Sequence, residues 1–232
     1  MKLSHKLQSC LALLALSAAP VVLGTVVTFT PNLTMADNDL TDVTDSRVLS
    51  GYSGVITDVN VSLNITGLPP NGAYNGDFSV YLTHSSGFSV LLNRIGTTAA
   101  DALGFADDGL NVVLDDEAAI DIHVHTGGGT LPGALTGSWK PDGRNISPDA
   151  VVDTDPRTAV LSSFDGLGAN GTWTLKVTDA SQGFQGVLKS WSLDLAGILP
   201  TTTVPDSALP SGMLAGMMGI CFAARRRLGS RV

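Results

Sequence analysis

Apolar and polar residues alternate strictly in two segments near the C-terminal end of the chain. Every second residue is apolar between residues 170 and 179, and the pattern returns between 187 and 195 after a turn-rich linker. A period of two is typical of a half-buried β-strand. Each segment carries one tryptophan, Trp173 or Trp191, which is large enough to cover one face of a sheet. The pattern predicts two antiparallel strands that pair as a hairpin.

Similar alternation predicts further strands upstream, over residues 25–30, 54–66, 76–83, 89–92 and 120–125. Residues 35–45 are interpreted as a polar loop, and residues 93–119 as irregular. We therefore expect an all-β fold, a jelly-roll-like β-sandwich of eight or nine mostly antiparallel strands. Its expected core consists of Trp173, Trp191, Val59, Val61, Leu63, Val80 and Leu82.

The two ends of the chain differ from the middle and predict four regions. Residues 1–24 combine two lysines with an apolar run, as in a secretory signal peptide. Residues 25–197 form the β-sandwich and residues 198–207 a linker. Residues 208–232 hold an apolar run and an arginine cluster, which predicts a transmembrane or sorting segment with its end on the cytoplasmic side.

Charge and cysteine content narrow the possible chemistry. Between residues 25 and 200 there are 7 basic and 20 acidic residues, a net charge of −13. This balance excludes nucleic acid as a partner and favours cations. Cys10 and Cys221 lie in the two tails, so the predicted domain has neither a disulfide nor thiol chemistry.

Several motifs occur in an order that resembles a known family. They are the Gly-Asp-Phe segment at 76–78, Asp-Asp-Glu-Ala at 115–118, Leu-Ser-Ser-Phe-Asp-Gly at 161–166, Asn-Gly-Thr-Trp-Thr-Leu at 170–175 and Ser-Trp-Ser-Leu at 190–193. This order is similar to the P domain (P/Homo B domain) of kexin- and furin-like proprotein convertases, in a stand-alone bacterial version. The resemblance spans about residues 35–197. Phe78 departs from it, because the family usually has leucine there.

The C-terminal region resembles a second bacterial signal. Val204-Pro-Asp-Ser207, followed by apolar residues and arginines, is similar to VPDSG/PEP-type sorting signals, although Ala208 stands where that pattern has glycine. The resemblance implies removal by an exosortase-type membrane protease, with membrane contact through this segment before processing. It also implies export to the cell envelope, the outer surface or the extracellular space of a Gram-negative bacterium. A permanent tail anchor is the alternative.

The P-domain resemblance implies a loop-bound Ca²⁺ held by carboxylates among Asp77, Asp115, Asp116, Glu117 and Asp179. Oxygen ligands that turns bring together suit this hard cation. The alternative is that these side chains cap turns through backbone hydrogen bonds.

A zinc site is a second metal hypothesis. Asp121, His123 and His125 would share one face of the strand predicted over 120–125, and histidine nitrogens bind zinc. Exposed edge-strand histidines are the alternative, and the resembled family has no zinc site here.

The chain contains neither the Gly-Thr-Ser nor the His-Gly-Thr segment of a subtilisin-type catalytic domain, which predicts a non-catalytic module. We expect a surface or matrix module that binds an envelope protein, a matrix protein or a polysaccharide. One alternative is an accessory domain of a subtilisin-like convertase system. Another is a carbohydrate-binding module with an aromatic platform at Trp139 and Tyr74.

Overall fold

Alternating segments of the chain pair into two β-sheets whose apolar faces meet. The computed structural model describes residues 24–125 and 133–201. Its strands are β1 (Thr25–Phe29), β2 (Leu33–Thr34), β3 (Asp39–Leu49), β4 (Tyr52–Gly67), β5 (Phe78–His84), β6 (Gly87–Asn93), β7 (Leu110–Leu114), β8 (Leu135–Trp139), β9 (Gly171–Asp179) and β10 (Gly186–Pro200). The described residues also form short 3-10 helices at Asn75–Asp77, Ile122–Val124 and Leu161–Phe164.

The six-stranded sheet has the order β1-β10-β4-β7-β8, with β2 also paired to β10, and the four-stranded sheet has the order β3-β9-β5-β6. Strands β7 and β8 run parallel, whereas β1–β10, β3–β9, β4–β7, β5–β6 and β5–β9 are antiparallel. The predicted all-β sandwich of mostly antiparallel strands is confirmed. Over residues 24–125 and 133–201 the structure divides it into ten strands, one of which has only two residues.

The two tryptophans lie in the core between the sheets. Trp173 is 0% exposed and Trp191 1% exposed. Buried indoles need a hydrogen-bond acceptor, and both have one: Trp173 donates to the carbonyl oxygen of Ala169 and Trp191 to the carboxylate of Asp45. The other predicted core residues are also buried, namely Val59, Val61, Leu63, Val80 and Leu82.

The predicted hairpin between the last two strands is wrong. Strand β9 pairs with β3 and β5 in the four-stranded sheet, whereas β10 pairs in the six-stranded sheet. Both strands bury a tryptophan on their inner face, so they lie on opposite sides of the core. Residues 180–185, the β9–β10 loop, therefore cross from one sheet to the other.

Four strands of the described residues lie outside the segments that the alternation predicted, namely β2, β3, β7 and β8. Strand β3 falls within and beyond the polar segment 35–45, and β7 falls within 93–119. Strand β3 is an edge strand that buries only two of its eleven side chains, so its sequence lacks an apolar period.

Among residues 24–125 and 133–201, no helix is long and apolar enough to cross a membrane. The predicted signal peptide lies outside the described residues apart from Gly24, and so does the predicted segment 208–232.

Candidate functional site

Strand register in the four-stranded sheet brings Asp77 and Asp179 together. Asp179, the last residue of β9, is opposite Asp39 of β3 on one side and Phe78 of β5 on the other. Asp77 directly precedes Phe78, and its carbonyl oxygen accepts a hydrogen bond of 2.7 Å from the N–H of Ala180. The two carboxylates therefore lie at the same end of the sheet, beneath the β9–β10 loop. We call them the Asp77–Asp179 pair.

Both carboxylates of the pair are buried, and one oxygen lacks a partner. Asp179 is 0% exposed and Asp77 is 3% exposed. One carboxylate oxygen of Asp179 accepts from the N–H of Gly186 at 3.2 Å, whereas Oδ1 has no hydrogen-bond partner among the described residues. A buried carboxylate without compensation costs free energy, because the charged form loses its hydration.

The pKa values of the pair reflect this cost. Burial raises the pKa of Asp179 to about 7, opposed by the N–H of Gly186 and increased by the charges of Asp77 and Asp37. Burial likewise raises the pKa of Asp77 to about 6, opposed by the charge of Arg94. Ionisation of the pair at neutral pH therefore has a free-energy cost that Arg94 and the N–H of Gly186 offset only in part.

The chemistry of the pair fits a hard divalent cation. Calcium prefers carboxylate, amide and carbonyl oxygens, and the unpartnered Oδ1 of Asp179 is such a ligand. Asn75, two residues before Asp77, is also fully buried and has an amide oxygen without a partner among the described residues. Among all the residues that the structure describes, no group of three or more His, Cys, Asp or Glu side chains is placed to hold a metal ion. Amide, carbonyl or water oxygens would have to complete the coordination.

The other three predicted ligands belong to a different acidic group, in the turn after β7. Both carboxylate oxygens of Asp116 accept backbone N–H bonds at the start of the 3-10 helix Leu161–Phe164, from Leu161 and from Ser162. Asp115 accepts from the N–H of Glu117 at 2.7 Å. These bonds are the turn capping that was the alternative to metal binding. The five predicted residues therefore lie in two separate groups: Asp77 and Asp179 form one, and the turn of residues 115–117 forms the other.

Several carboxylates lie close to one another in and around this second acidic group. The pKa of Asp58 is raised by burial and by the charge of Asp115, and that of Asp165 is raised by burial and by the charge of Asp116. A hydrogen bond with Asp115 raises the pKa of Glu117. The group forms an acidic surface, but its turn-capping oxygens already have partners.

The strand predicted over 120–125 is wrong, because residues Ile122–Val124 form a 3-10 helix. The zinc hypothesis assumed that Asp121, His123 and His125 share one face of that strand, so this assumption is wrong as well. His123 is fully buried, with Nδ1 2.6 Å from Asp142 Oδ2 and Nε2 2.9 Å from the carbonyl oxygen of Thr97. Asp121 instead binds Arg144 at 2.9 Å. Sequence periodicity missed Asp142 and Arg144 because both lie in an irregular segment.

Neither residue of the predicted aromatic platform is exposed as expected. Trp139 is the last residue of β8 rather than a loop residue, and its half-buried ring packs 5.3 Å from His125. Tyr74 is half-buried against Phe184, with ring centroids 6.2 Å apart, and its hydroxyl donates to the carbonyl oxygen of Gly104.

Comparisons with known proteins identify one family match. The model of the family described as "Proprotein convertase P-domain" matches residues 147–195, less than half of the chain. A search of the curated proteins finds no match. Among solved structures, a serine protease of Aeromonas sobria is 14% identical with a TM-score of 0.37, and the complex of that protease with a chaperone is 16% identical with a TM-score of 0.36.

These structural matches cover 79% of this chain but only 29% and 28% of the matched chains. The chain therefore spans less than a third of those proteins. The matched segment 147–195 contains β9, the β9–β10 loop and most of β10. This part of the chain is similar to the convertase P-domain, which is a non-catalytic accessory domain.

Proposed function

We propose that the β-sandwich is a non-catalytic accessory module that works by packing against a protein of a subtilisin-like convertase system. The P-domain match over residues 147–195 is the observation that carries this proposal. That segment contributes one strand to each sheet, each with a buried tryptophan. The match thus concerns residues that build the sandwich itself, as an accessory domain requires.

A binding and stability experiment tests this role. The full-length protein is mixed with a subtilisin-like catalytic domain that lacks its own P domain. We expect a complex in size-exclusion chromatography and a longer half-life of protease activity on heating. The full-length protein alone should not hydrolyse casein. No complex with any catalytic domain from the same genome, or casein hydrolysis by the purified chain, would contradict the proposal.

We further propose that Ca²⁺ binds at the Asp77–Asp179 pair and stabilises the domain. The observation that supports it is the buried, unpartnered Oδ1 of Asp179, in a pair whose burial opposes ionisation. Asp77 and Asp179 would hold the ion, and Asn75 has the chemistry of a third ligand. The cation would supply positive charge where, among the described residues, Arg94 is the only cation that lowers the pKa of Asp77.

Calorimetric titration and thermal unfolding test the calcium proposal. We expect calcium binding in the wild type and a lower unfolding temperature after chelation, with both effects lost in the Asp77→Asn/Asp179→Asn double variant. Asp116→Asn is the matched control, because it alters the second acidic group and should leave calcium binding intact. Loss of binding in Asp116→Asn but not in the double variant would place the ion elsewhere.

Display at the envelope remains part of the proposal, as do adhesion to a matrix protein or polysaccharide and processing by an exosortase-type protease. These rest on the sequence of the two tails. Mass spectrometry of the protein from its native host would test processing, because removal of the C-terminal segment shortens the chain by a defined mass.

A further inference from the structure

A cleft of about 350 Å³ lies on the outer face of the four-stranded sheet, on the side that does not face the core. Tyr81 of β5 and Phe88 of β6 contribute two nearly parallel rings, with centroids 6.0 Å apart and an interplanar angle of 15°. Strand alternation explains their position, because Val80 and Leu82 fill the core while Tyr81 faces outward. We call this the Tyr81–Phe88 cleft.

One wall of the cleft is held in place by buried hydrogen bonds. The side-chain amide of Asn93, fully buried, donates to the carbonyl oxygens of Arg144 at 3.0 Å and Ile146 at 2.9 Å. Its amide oxygen accepts from the hydroxyl of Ser79 at 3.1 Å. Residues 145–148 are therefore fixed above the sheet by hydrogen bonds of the fold itself, which preform this wall of the cleft. Binding to a preformed site costs less ordering entropy.

The two charged side chains that line the cleft have opposite charges, so their net charge is zero. Asp42 and Lys176 line it and form an ion pair of 3.0 Å in which both side chains remain about a third or more exposed. Thr83 and Asn145 add hydroxyl and amide groups. The cleft thus offers acceptors, donors and flat apolar rings but no net charge, which suits a neutral ligand with hydroxyl groups and apolar faces.

Addition of an extended peptide to the neighbouring edge of the sheet does not fit. The edge of β6 is already hydrogen-bonded to other segments. The N–H of Asp142 donates to Leu91, the N–H of Gly143 to Val90, and the N–H of Val90 to Ala159. Strand addition needs free backbone groups at an edge, and here only side chains are available.

We propose that the Tyr81–Phe88 cleft binds a neutral polysaccharide. The apolar face of a sugar ring stacks on Tyr81 and Phe88, while Asp42, Lys176 and Asn145 hydrogen-bond its hydroxyl groups. This site differs from the aromatic platform expected from the sequence. It rests on the adhesion to a polysaccharide proposed above and names a site for it, but it is independent of the Asp77–Asp179 pair and of any docking to a protease.

Affinity electrophoresis of the full-length protein tests the inference, in native gels containing a soluble neutral β-glucan, xylan, mannan or dextran. We expect retardation by at least one polymer, with roughly tenfold weaker binding in Tyr81→Ala and Phe88→Ala. Phe184→Ala is the matched control, since Phe184 is an exposed aromatic residue outside the cleft, and it should bind like the wild type.

Lys176→Met provides a second test that does not depend on an aromatic residue. Its side chain is exposed, so the fold should survive, and binding should weaken at least several-fold. Thermal unfolding of each variant verifies the fold. Absence of retardation by every neutral polymer would overturn the inference. Retardation that is equal in all variants, or that only the acidic polymer alginate produces, would also overturn it.

Discussion

At the residue scale, the raised pKa values of Asp77 and Asp179 make the stability of the domain depend on pH. Their pKa values in the folded chain, about 6 and about 7, lie above the ordinary value of 3.8. Without calcium, the neutral forms favour folding. Their contribution is full below about pH 4 and is lost as the pH rises to 7, by up to about 1.4 kcal/mol per pH unit for each group.

We therefore predict that the free energy of unfolding in chelator falls between pH 5 and 7, and that saturating calcium abolishes this slope. The slope disappears because a bound cation keeps the carboxylates ionised in the folded chain, and above pH 5 they are ionised in the unfolded chain as well. Urea unfolding at several pH values measures the effect. The Asp77→Asn/Asp179→Asn variant should lose most of the slope, whereas Asp149→Asn, at a position away from the pair, should keep it. An identical slope with and without calcium would disprove the prediction.

His123 gives a second pH effect, at higher pH. Desolvation lowers its pKa, but the hydrogen bond and charge of Asp142 and the carbonyl oxygen of Thr97 outweigh it, and the net result is a raised pKa. Both ring nitrogens face acceptors, an arrangement that only the doubly protonated ring satisfies. Stability from this group is full below pH 6.5 and is lost as the pH rises through the higher pKa of the folded state.

We predict that His123→Gln destabilises the domain by about 3 kcal/mol or more at pH 6 and removes its loss of stability on the alkaline side. His125→Gln is the control, because burial lowers the pKa of His125 and places its titration on the acidic side. Urea unfolding between pH 6 and 9 measures both. An unchanged alkaline slope in His123→Gln would contradict the assignment.

The sequence indicated which carboxylates lie near turns, but not which of them lie close together in the fold. Asp77 and Asp179 sit at the ends of alternating strands, so the sequence shows that they lie near turns. Which turns meet depends on the order of strands in each sheet, which alternation does not encode. The Asp115–Glu117 turn follows β7 of the six-stranded sheet, and it caps the helix Leu161–Phe164 instead.

At the scale of elements, β4 and β10 approach closely at two glycines with positive φ. Gly54 has φ 91° and Gly197 has φ 82°. A Cβ on Gly54 would lie 2.6 Å from the carbonyl oxygen of Gly197, and one on Gly197 would collide with the carbonyl oxygen of Val55. Only glycine adopts this conformation freely and leaves room for the neighbouring backbone.

We predict that Gly197→Ala destabilises the domain by about 2 kcal/mol or more, since strain and backbone collision add. Gly168→Ala is the matched control. Gly168 has no positive φ, and a Cβ added to it would meet no atom within 4 Å, so its change should stay within about 0.5 kcal/mol. Thermal unfolding compares the two. Equal effects would show that β10 tolerates a side chain at this position.

The alternation located only some of the strands, since it missed strands such as β3 and β7 and wrongly predicted one over 120–125. It did not predict strand pairing. Where a strand has one buried face, as in β4, β5, β9 and β10, alternation located it. The hairpin prediction failed because two alternating strands joined by a short loop can pair or can face each other across a core. The structure has the second arrangement, because Trp173 and Trp191 are both buried and lie on the inner faces of separate sheets.

At the scale of the whole molecule, the net charge of −13 between residues 25 and 200 opposes folding. A compact domain holds these charges closer together than an unfolded chain does, so like-charge repulsion destabilises the native state. Added salt screens this repulsion over a Debye length of about 10 Å at 0.1 M. The repulsion is concentrated where the charge of Asp115 raises the pKa of Asp58 and the charge of Asp116 raises the pKa of Asp165.

We predict that the unfolding temperature at pH 7.5 in chelator rises as NaCl increases from low concentration to 0.3 M, and that calcium adds a further rise at matched ionic strength. The Asp77→Asn/Asp179→Asn variant should retain the response to NaCl and lose the additional response to calcium. Screening acts on all exposed charges, whereas binding needs the buried pair, so one variant separates the two contributions.

An unfolding temperature that falls with NaCl would show that attractive ion pairs, such as Asp42 with Lys176, outweigh the repulsion. If calcium raised the unfolding temperature of the wild type and of the variant equally, its effect would be charge screening and not binding at the pair.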